Sequence, residues 1–300
     1  MYYQVRTEAK PQERFAQVGG VQLRYLVAGD GPPLCLVHGL GGAASNWVVL
    51  APLLASRFRL LIPDLAGHGR SAPLPAAPSL DPFADHVAAL LEREQMLPAT
   101  VVGHSLGGTI AMRLAIRRPD AVRALVLAAP AGITSSTQRA AHVITMMVIT
   151  RPGRLVSPFR SAVARRPPLR YPAFWRWQVS DPAALSSRAV EGFLEGPGLH
   201  QDIATAGRAL MGHDPRPELD RISCPVLVLW GARDQLVPLA DGFEFARRLR
   251  VPIRVMPDCA HLLIGERPEA CADAICGFLD RVLDFDELPG EAEAFGQAGR

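Results

Sequence analysis

Thr100-Val101-Val102-Gly103-His104-Ser105-Leu106-Gly107 runs from a short apolar segment into a glycine-flanked serine. It then continues into a stretch with helical spacing that ends at Arg117-Arg118-Pro119. The apolar run suits a strand buried on both faces. Basic residues followed by proline make a helix stop. A strand, a tight turn and a helix in that order lift the serine hydroxyl above the sheet, and only glycine lets strand and helix pack so closely there. Ser105 then stands at a helix N-terminus, where the Leu106 N–H can face developing negative charge. Alone, G-x-S-x-G is weak, since about one chain in ten of this length carries it by chance at average Gly and Ser usage. Its weight comes from its surroundings.

Upstream, Phe15 to Val18 and Val21 to Val27 flank Gly19-Gly20 and read as a β-hairpin. Leu34 to Val37, Arg59 to Ile62 and Ala124 to Ala128 are further short apolar runs, as is Thr100 to Val102 itself. Helical spacing lies between them at Ser45 to Ala55, Asp81 to Gln95 and Leu106 to Arg117. The alternation resumes with strands at Val226 to Trp230 and Ile253 to Met256 and helices at Leu239 to Leu249 and Pro268 to Leu283. Repeated strand–helix units imply right-handed crossovers and a doubly wound, mostly parallel α/β sheet with an N-terminal antiparallel hairpin.

Residues 133–214 break this rhythm with Pro152, Pro158, Pro167-Pro168, Pro172, Pro182 and Pro197. Some eighty residues between two core strands are too many for a plain loop, so we expect a helical cap or lid inserted after the sixth strand. The core is then 15–132 and 215–284. The acidic, Gly- and Ala-rich residues 285–300 are expected to form a disordered tail.

The 300 residues are 49% hydrophobic with a net charge of +3, too weak a balance to argue for nucleic acid as a partner. Five cysteines, an odd number without a C-x-x-C pair, fit a reducing compartment. The N-terminus reads as no signal peptide, and no apolar stretch is long enough for a transmembrane segment, so the expected location is cytoplasmic. No His or Cys cluster has metal-ligand spacing, and no cofactor is expected.

Three further loops follow predicted strands. His38-Gly39-Leu40-Gly41-Gly42 follows the strand at Leu34 to Val37, and its glycines let backbone approach a substrate. Gly231-Ala232-Arg233-Asp234 follows Val226 to Trp230, where an aspartate can orient a histidine. Asp258-Cys259-Ala260-His261 follows Ile253 to Met256. The order Ser105, Asp234, His261, each at the carboxyl end of a strand, is where open α/β sheets place their sites. On these four motifs the chain resembles the α/β-hydrolase fold superfamily from about Phe15 to Leu283, and within it the cap-containing serine esterases and lipases.

The resemblance implies a Ser105–Asp234–His261 catalytic triad and an oxyanion hole from the Leu40 and Leu106 N–H groups. His38, Gly39, Gly41, Gly103, His104 and Gly107 support these loops, with His38 tying its own loop and His104 forming a pocket wall. His68 reads as structural, and Asp258 as a turn residue before an alternative acid. Haloalkane dehalogenases and epoxide hydrolases carry aspartate where this chain has Ser105. Carbon–carbon hydrolases of ring-fission products use serine, and Arg188 could match their carboxylate-binding arginine, so that activity is the alternative to ester hydrolysis. Perhydrolases, thioesterases and acyltransferases share the triad, and an idle receptor or scaffold on the same fold is the non-enzyme alternative. Phe159, Trp175 and Trp177 are candidate pocket residues for a mostly apolar small-molecule acyl substrate. Neither the acyl group nor the oligomeric state is legible.

Overall fold

The apolar runs become the buried centre of one eight-stranded sheet in a computed structural model that describes residues 10–75, 79–136, 138–150, 152–174 and 178–286. The strands are β1 (Gln12–Val18), β2 (Val21–Ala28), β3 (Pro33–Val37), β4 (Arg59–Pro63), β5 (Ala99–His104), β6 (Val122–Ala128), β7 (Val226–Gly231) and β8 (Ile253–Met256). Their spatial order is β1-β2-β4-β3-β5-β6-β7-β8. β2 runs antiparallel to β1 and β4, and every other pair is parallel. β5 is buried along its whole length, as a parallel strand covered on both faces should be.

The helices are α1 (Ala51–Ala55), α2 (Asp81–Arg93), α3 (Leu106–Arg117), α4 (Gln138–Thr150), α5 (Pro152–Val156), α6 (Arg160–Arg165), α7 (Arg170–Ala173), α8 (Ser187–Leu199), α9 (Ala204–Met211), α10 (Leu239–Leu249), α11 (Leu263–Glu266) and α12 (Pro268–Asp286). Helices α4 to α9 all fall between β6 and β7. One expected helix, Ser45 to Ala55, is divided into a 3-10 turn at Ala44–Trp47 and the short α1. Pro52 lacks an N–H and crowds the preceding turn, so the helix restarts with proline in its first turn. The last helix runs past the expected stop at Leu283, which moves Phe285 and Asp286 from the expected tail into α12. The remaining tail and the N-terminal reading fall outside the described residues.

Strand register decides what meets above the sheet. Val37 pairs with Gly103, His104 with Ala128, and Gly231 with Met256. The carboxyl ends of β3, β5, β6, β7 and β8 therefore lie side by side, and the loops that leave them share one edge.

Candidate active site

Ser105 joins β5 to α3 at φ 53°, ψ −120°, a conformation that L-residues avoid. Such strain costs about 1–3 kcal/mol and persists only where the surroundings fix it. Here the Ser105 N–H donates to the Ala128 carbonyl at 3.0 Å, and its own carbonyl accepts from Gly108 at 2.9 Å and Ala131 at 3.1 Å. Close packing explains the glycines. A Cβ on Gly107 would sit 2.1 Å from the Val37 oxygen, and one on Gly103 would sit 2.3 Å from the Gly107 oxygen.

The loop after β3 reaches the same place. A Cβ on Gly39 would meet the Ser105 Cβ at 3.0 Å. His38, fully buried, holds this loop: its Nδ1–H donates to the Gly39 carbonyl at 2.8 Å and its Nε2 accepts from the Leu65 N–H at 3.0 Å. Both ring nitrogens are used by a neutral imidazole, and burial pushes the His38 pKa down against the pull of Asp64. The turn closes with the Gly42 N–H on the Gly39 carbonyl at 3.0 Å, a bond that leaves the Leu40 N–H out.

Asp234 and His261 meet across 27 residues of chain. The His261 Nδ1–H donates to Asp234 Oδ2 at 2.8 Å. Asp234 Oδ1 accepts from the Leu236 and Val237 N–H groups at 2.9 Å each. These three bonds hold the carboxylate still, and through it the tautomer that leaves His261 Nε2 as the basic nitrogen. Asp258 is exposed, pairs with Arg233 and sits in a turn at φ 49°.

His104 connects the two halves. Its ring packs on that of His261 with centroids 4.8 Å apart, and its Nε2–H donates to the His261 carbonyl at 2.9 Å. His104, read from the sequence as a pocket wall, is 2% exposed. Burial first, and then the neighbouring His261, push its pKa down to about 3. It is a neutral tie between the serine turn and the histidine loop. Ser105 Oγ takes no part in these bonds, and serine–histidine bonds of this kind commonly tighten only with substrate in place.

Sequence reasoning missed two residues here. His200, beyond α8, accepts the Gly69 N–H on Nδ1 at 3.0 Å and donates from Nε2 to the Gly41 carbonyl at 2.8 Å. His68 lies between the rings of His38 and His200, at centroid distances of 5.2 and 5.3 Å. Glu266 accepts the Ala260 N–H at 2.9 Å and the Ser180 N–H at 2.8 Å, while the Leu262 N–H donates to the Gln178 carbonyl at 2.9 Å. The histidine loop is thus tied to the segment between β6 and β7. No spacing signal marks either residue, because His200 acts on Gly41 and Glu266 on Ser180, partners far away in the chain.

Phe159 and Arg188 are both exposed, Arg188 in the first turns of α8. Trp175 and Trp177 lie outside the described residues. A polar groove of about 300 Å³ lined by Ser180, Asp181, Arg233, Asp258, Glu266 and Arg267 lies behind the histidine loop and does not include Ser105. Among the described residues, no group of three or more His, Cys, Asp or Glu side chains could hold a metal ion.

The alpha/beta hydrolase fold family matches residues 32–268 of this sequence. The chain belongs to this family. It is 30% identical over 281 residues to the dihydrolipoyllysine-residue acetyltransferase component of the acetoin cleaving system of Pseudomonas putida, across 90% of the chain and 70% of that protein. It is 34% identical over 223 residues to a pimeloyl-[acyl-carrier protein] methyl ester esterase of Chromobacterium violaceum, across 74% of the chain and 83% of that protein. A 2-hydroxy-6-oxo-6-(2'-aminophenyl)hexa-2,4-dienoic acid hydrolase of Metapseudomonas resinovorans is 27% identical over 289 residues, across 93% and 95% of the two chains. The crystal structure of E-2-(acetamidomethylene)succinate hydrolase has the same fold, with a TM-score of 0.72 at 23% identity over 90% of this chain and 99% of that one.

Proposed function

We propose that this chain is a serine hydrolase that cleaves a carboxylic ester, or a similar acyl bond, of a mostly apolar small molecule through an acyl-enzyme on Ser105. The observation that carries this reading is the buried Asp234–His261 hydrogen bond, joined by His104 to the strained Ser105 turn. His261 Nε2 takes the Ser105 proton as Oγ attacks the acyl carbonyl. The tetrahedral oxyanion is held by the Leu40 and Leu106 N–H groups, each such donor being worth about 2.7–4 kcal/mol. His261 returns its proton to the leaving group. It then activates the water that releases the acid.

Residues 133–214 serve in this reading as a cap over the core formed by 15–132 and 215–284, and they set substrate choice. The five cysteines are free thiols, which supports a reducing, cytoplasmic setting. The esterase of Chromobacterium violaceum supports the ester reading. The ring-fission hydrolase of Metapseudomonas resinovorans favours carbon–carbon cleavage as the second reading, although the exposure of Arg188 weighs against that arginine as a carboxylate anchor.

Rates on p-nitrophenyl esters of increasing chain length, set beside a ring-fission dienone, separate these readings. The wild-type chain should hydrolyse the esters, and Ser105→Ala should lose about four orders of magnitude or more in kcat. Undiminished turnover by Ser105→Ala refutes the nucleophile. Fast dienone cleavage with a flat ester profile reverses the preference, and fluorophosphonate labelling of Ser105 without turnover of any substrate points to an idle scaffold.

A further inference from the structure

Charge is distributed unevenly along this chain. Residues 138–180 contain eight arginines and no lysine, aspartate or glutamate. The rest of the chain holds 24 basic against 29 acidic residues, a net of −5. Many arginines outside this stretch are paired, as in Arg117 with Asp85, Arg118 with Glu92 and Asp120, and Arg247 with Glu244. Arg154, Arg165 and Arg166 are exposed, and among the described residues none of them has a carboxylate partner. Exposed arginines without a carboxylate partner stand ready for an external anion.

Apolar side chains are exposed along the same stretch. Of the ten large apolar side chains exposed among the described residues, six are Met146, Ile149, Leu155, Phe159, Leu169 and Tyr171. Leu155 is 76% exposed, Ile149 69% and Phe159 65%. On α4 the exposed positions 142, 145, 146, 149 and 150 recur at helical spacing and form one face. The opposite face turns toward the site. Ile144 and Val148 lie 3.6 and 3.3 Å from where a Gly207 Cβ would be, and Leu40 lies 3.7 Å from the same point.

We propose that the segment from α4 to α7 is a docking surface for an anionic phospholipid bilayer. Arginines beside protruding Leu, Ile, Phe and Met side chains suit the headgroup boundary, where the cations meet phosphates and the apolar tips enter the acyl region. The acidic remainder of the molecule is repelled by the same surface, so the charge asymmetry also orients the approach. Short helices joined by proline turns offer separate protruding tips, whereas a helical protein partner needs a groove to lie in. Binding of this kind needs no turnover, so it stands or falls separately from the acyl-transfer reading.

The test is sedimentation of the full chain with vesicles of phosphatidylcholine alone and of phosphatidylcholine mixed with phosphatidylglycerol. Partitioning should be at least about tenfold stronger on the mixed vesicles and should weaken as salt screens the headgroups. Arg165→Glu with Arg166→Glu should lower it by more than about tenfold, and Leu155→Ser should lower it several-fold. Both variants should keep the parental unfolding midpoint and far-ultraviolet circular dichroism, which separates lost docking from lost folding. Equal or absent sedimentation on the two vesicle types overturns the proposal, as does wild-type binding by the folded variants. Retention on immobilised poly-glutamate without sedimentation on vesicles also overturns it, in favour of an acidic protein partner.

Discussion

The strand-end site and the helical segment between β6 and β7 handle polar groups in opposite ways. At the strand ends the key polar groups are committed: Asp234 spends both oxygens, His38 both ring nitrogens, and the Ser105 backbone is pinned on both sides. Across α4 to α7 the heads of Arg154, Arg165 and Arg166 and several apolar tips face outward, whereas Arg170 is buried, held by the carbonyls of Ala164, Ala183 and Leu185. The first arrangement leaves its groups few alternative positions, which suits the acyl transfer proposed for them. The second leaves contacts to be made with something else.

This contrast can be broken by substitution. Asp234→Asn keeps the shape of its loop but loses the acceptor that sets the His261 tautomer, and kcat should fall about 10⁴-fold with little change in the unfolding midpoint. A loss of less than tenfold, measured by steady-state kinetics, would mean that the Asp234–His261 bond is structural only.

Acid should act next, and through the strand-end region. Burial lowers the pKa values of His38, His68 and His104, that of His104 to about 3. In the unfolded chain each titrates near 6.5. Below pH 6.5 the unfolded state therefore binds more protons than the folded state, and stability falls as pH drops through that window toward 3. Above it these groups contribute no pH dependence. Calorimetry should show the Tm falling by several degrees between pH 7 and pH 5, at about 2–4 °C per kcal/mol for a chain of this size. A flat Tm over that range would show that the three rings ionise without unfolding.

The smallest effects compare arginines. Arg113, 13% exposed and bonded to Asp81 and Glu218, should cost about 1–2 kcal/mol on replacement by alanine. Arg154→Ala should change stability by less than about 0.5 kcal/mol, since its exposed head meets no carboxylate among the described residues. Urea midpoints measure both, and equal losses would erase the distinction between the two regions.

The same division governs what could be read from sequence. Strands β3 to β7 were legible because burial on both faces leaves nearly unbroken apolar runs, and the serine turn because Gly103 and Gly107 are forced by close backbone contacts, Gly103 within the motif and Gly107 against β3. The loops carrying Asp234 and His261 could be placed because each follows a predicted strand. His200 and Glu266 could not: His200 acts on Gly41 from 159 residues away, and Glu266 on Ser180 from 86. Nor does periodicity register a proline that divides a helix, which is why the stretch from Ser45 to Ala55 reads as one element and folds as two.

The ties between the helical segment and the strand-end loops bear on how this chain can be recombined. His200 bonds to Gly41, Ser180 to Glu266, and Gln178 to Leu262, so three seams stitch the segment to the loops that carry Leu40 and His261. A chimaera that took this segment from a relative would inherit a new surface, yet would disorder the old chemistry unless both edges of each seam travelled together. On the proposed function, substrate range and catalytic competence would be heritable only as a matched set.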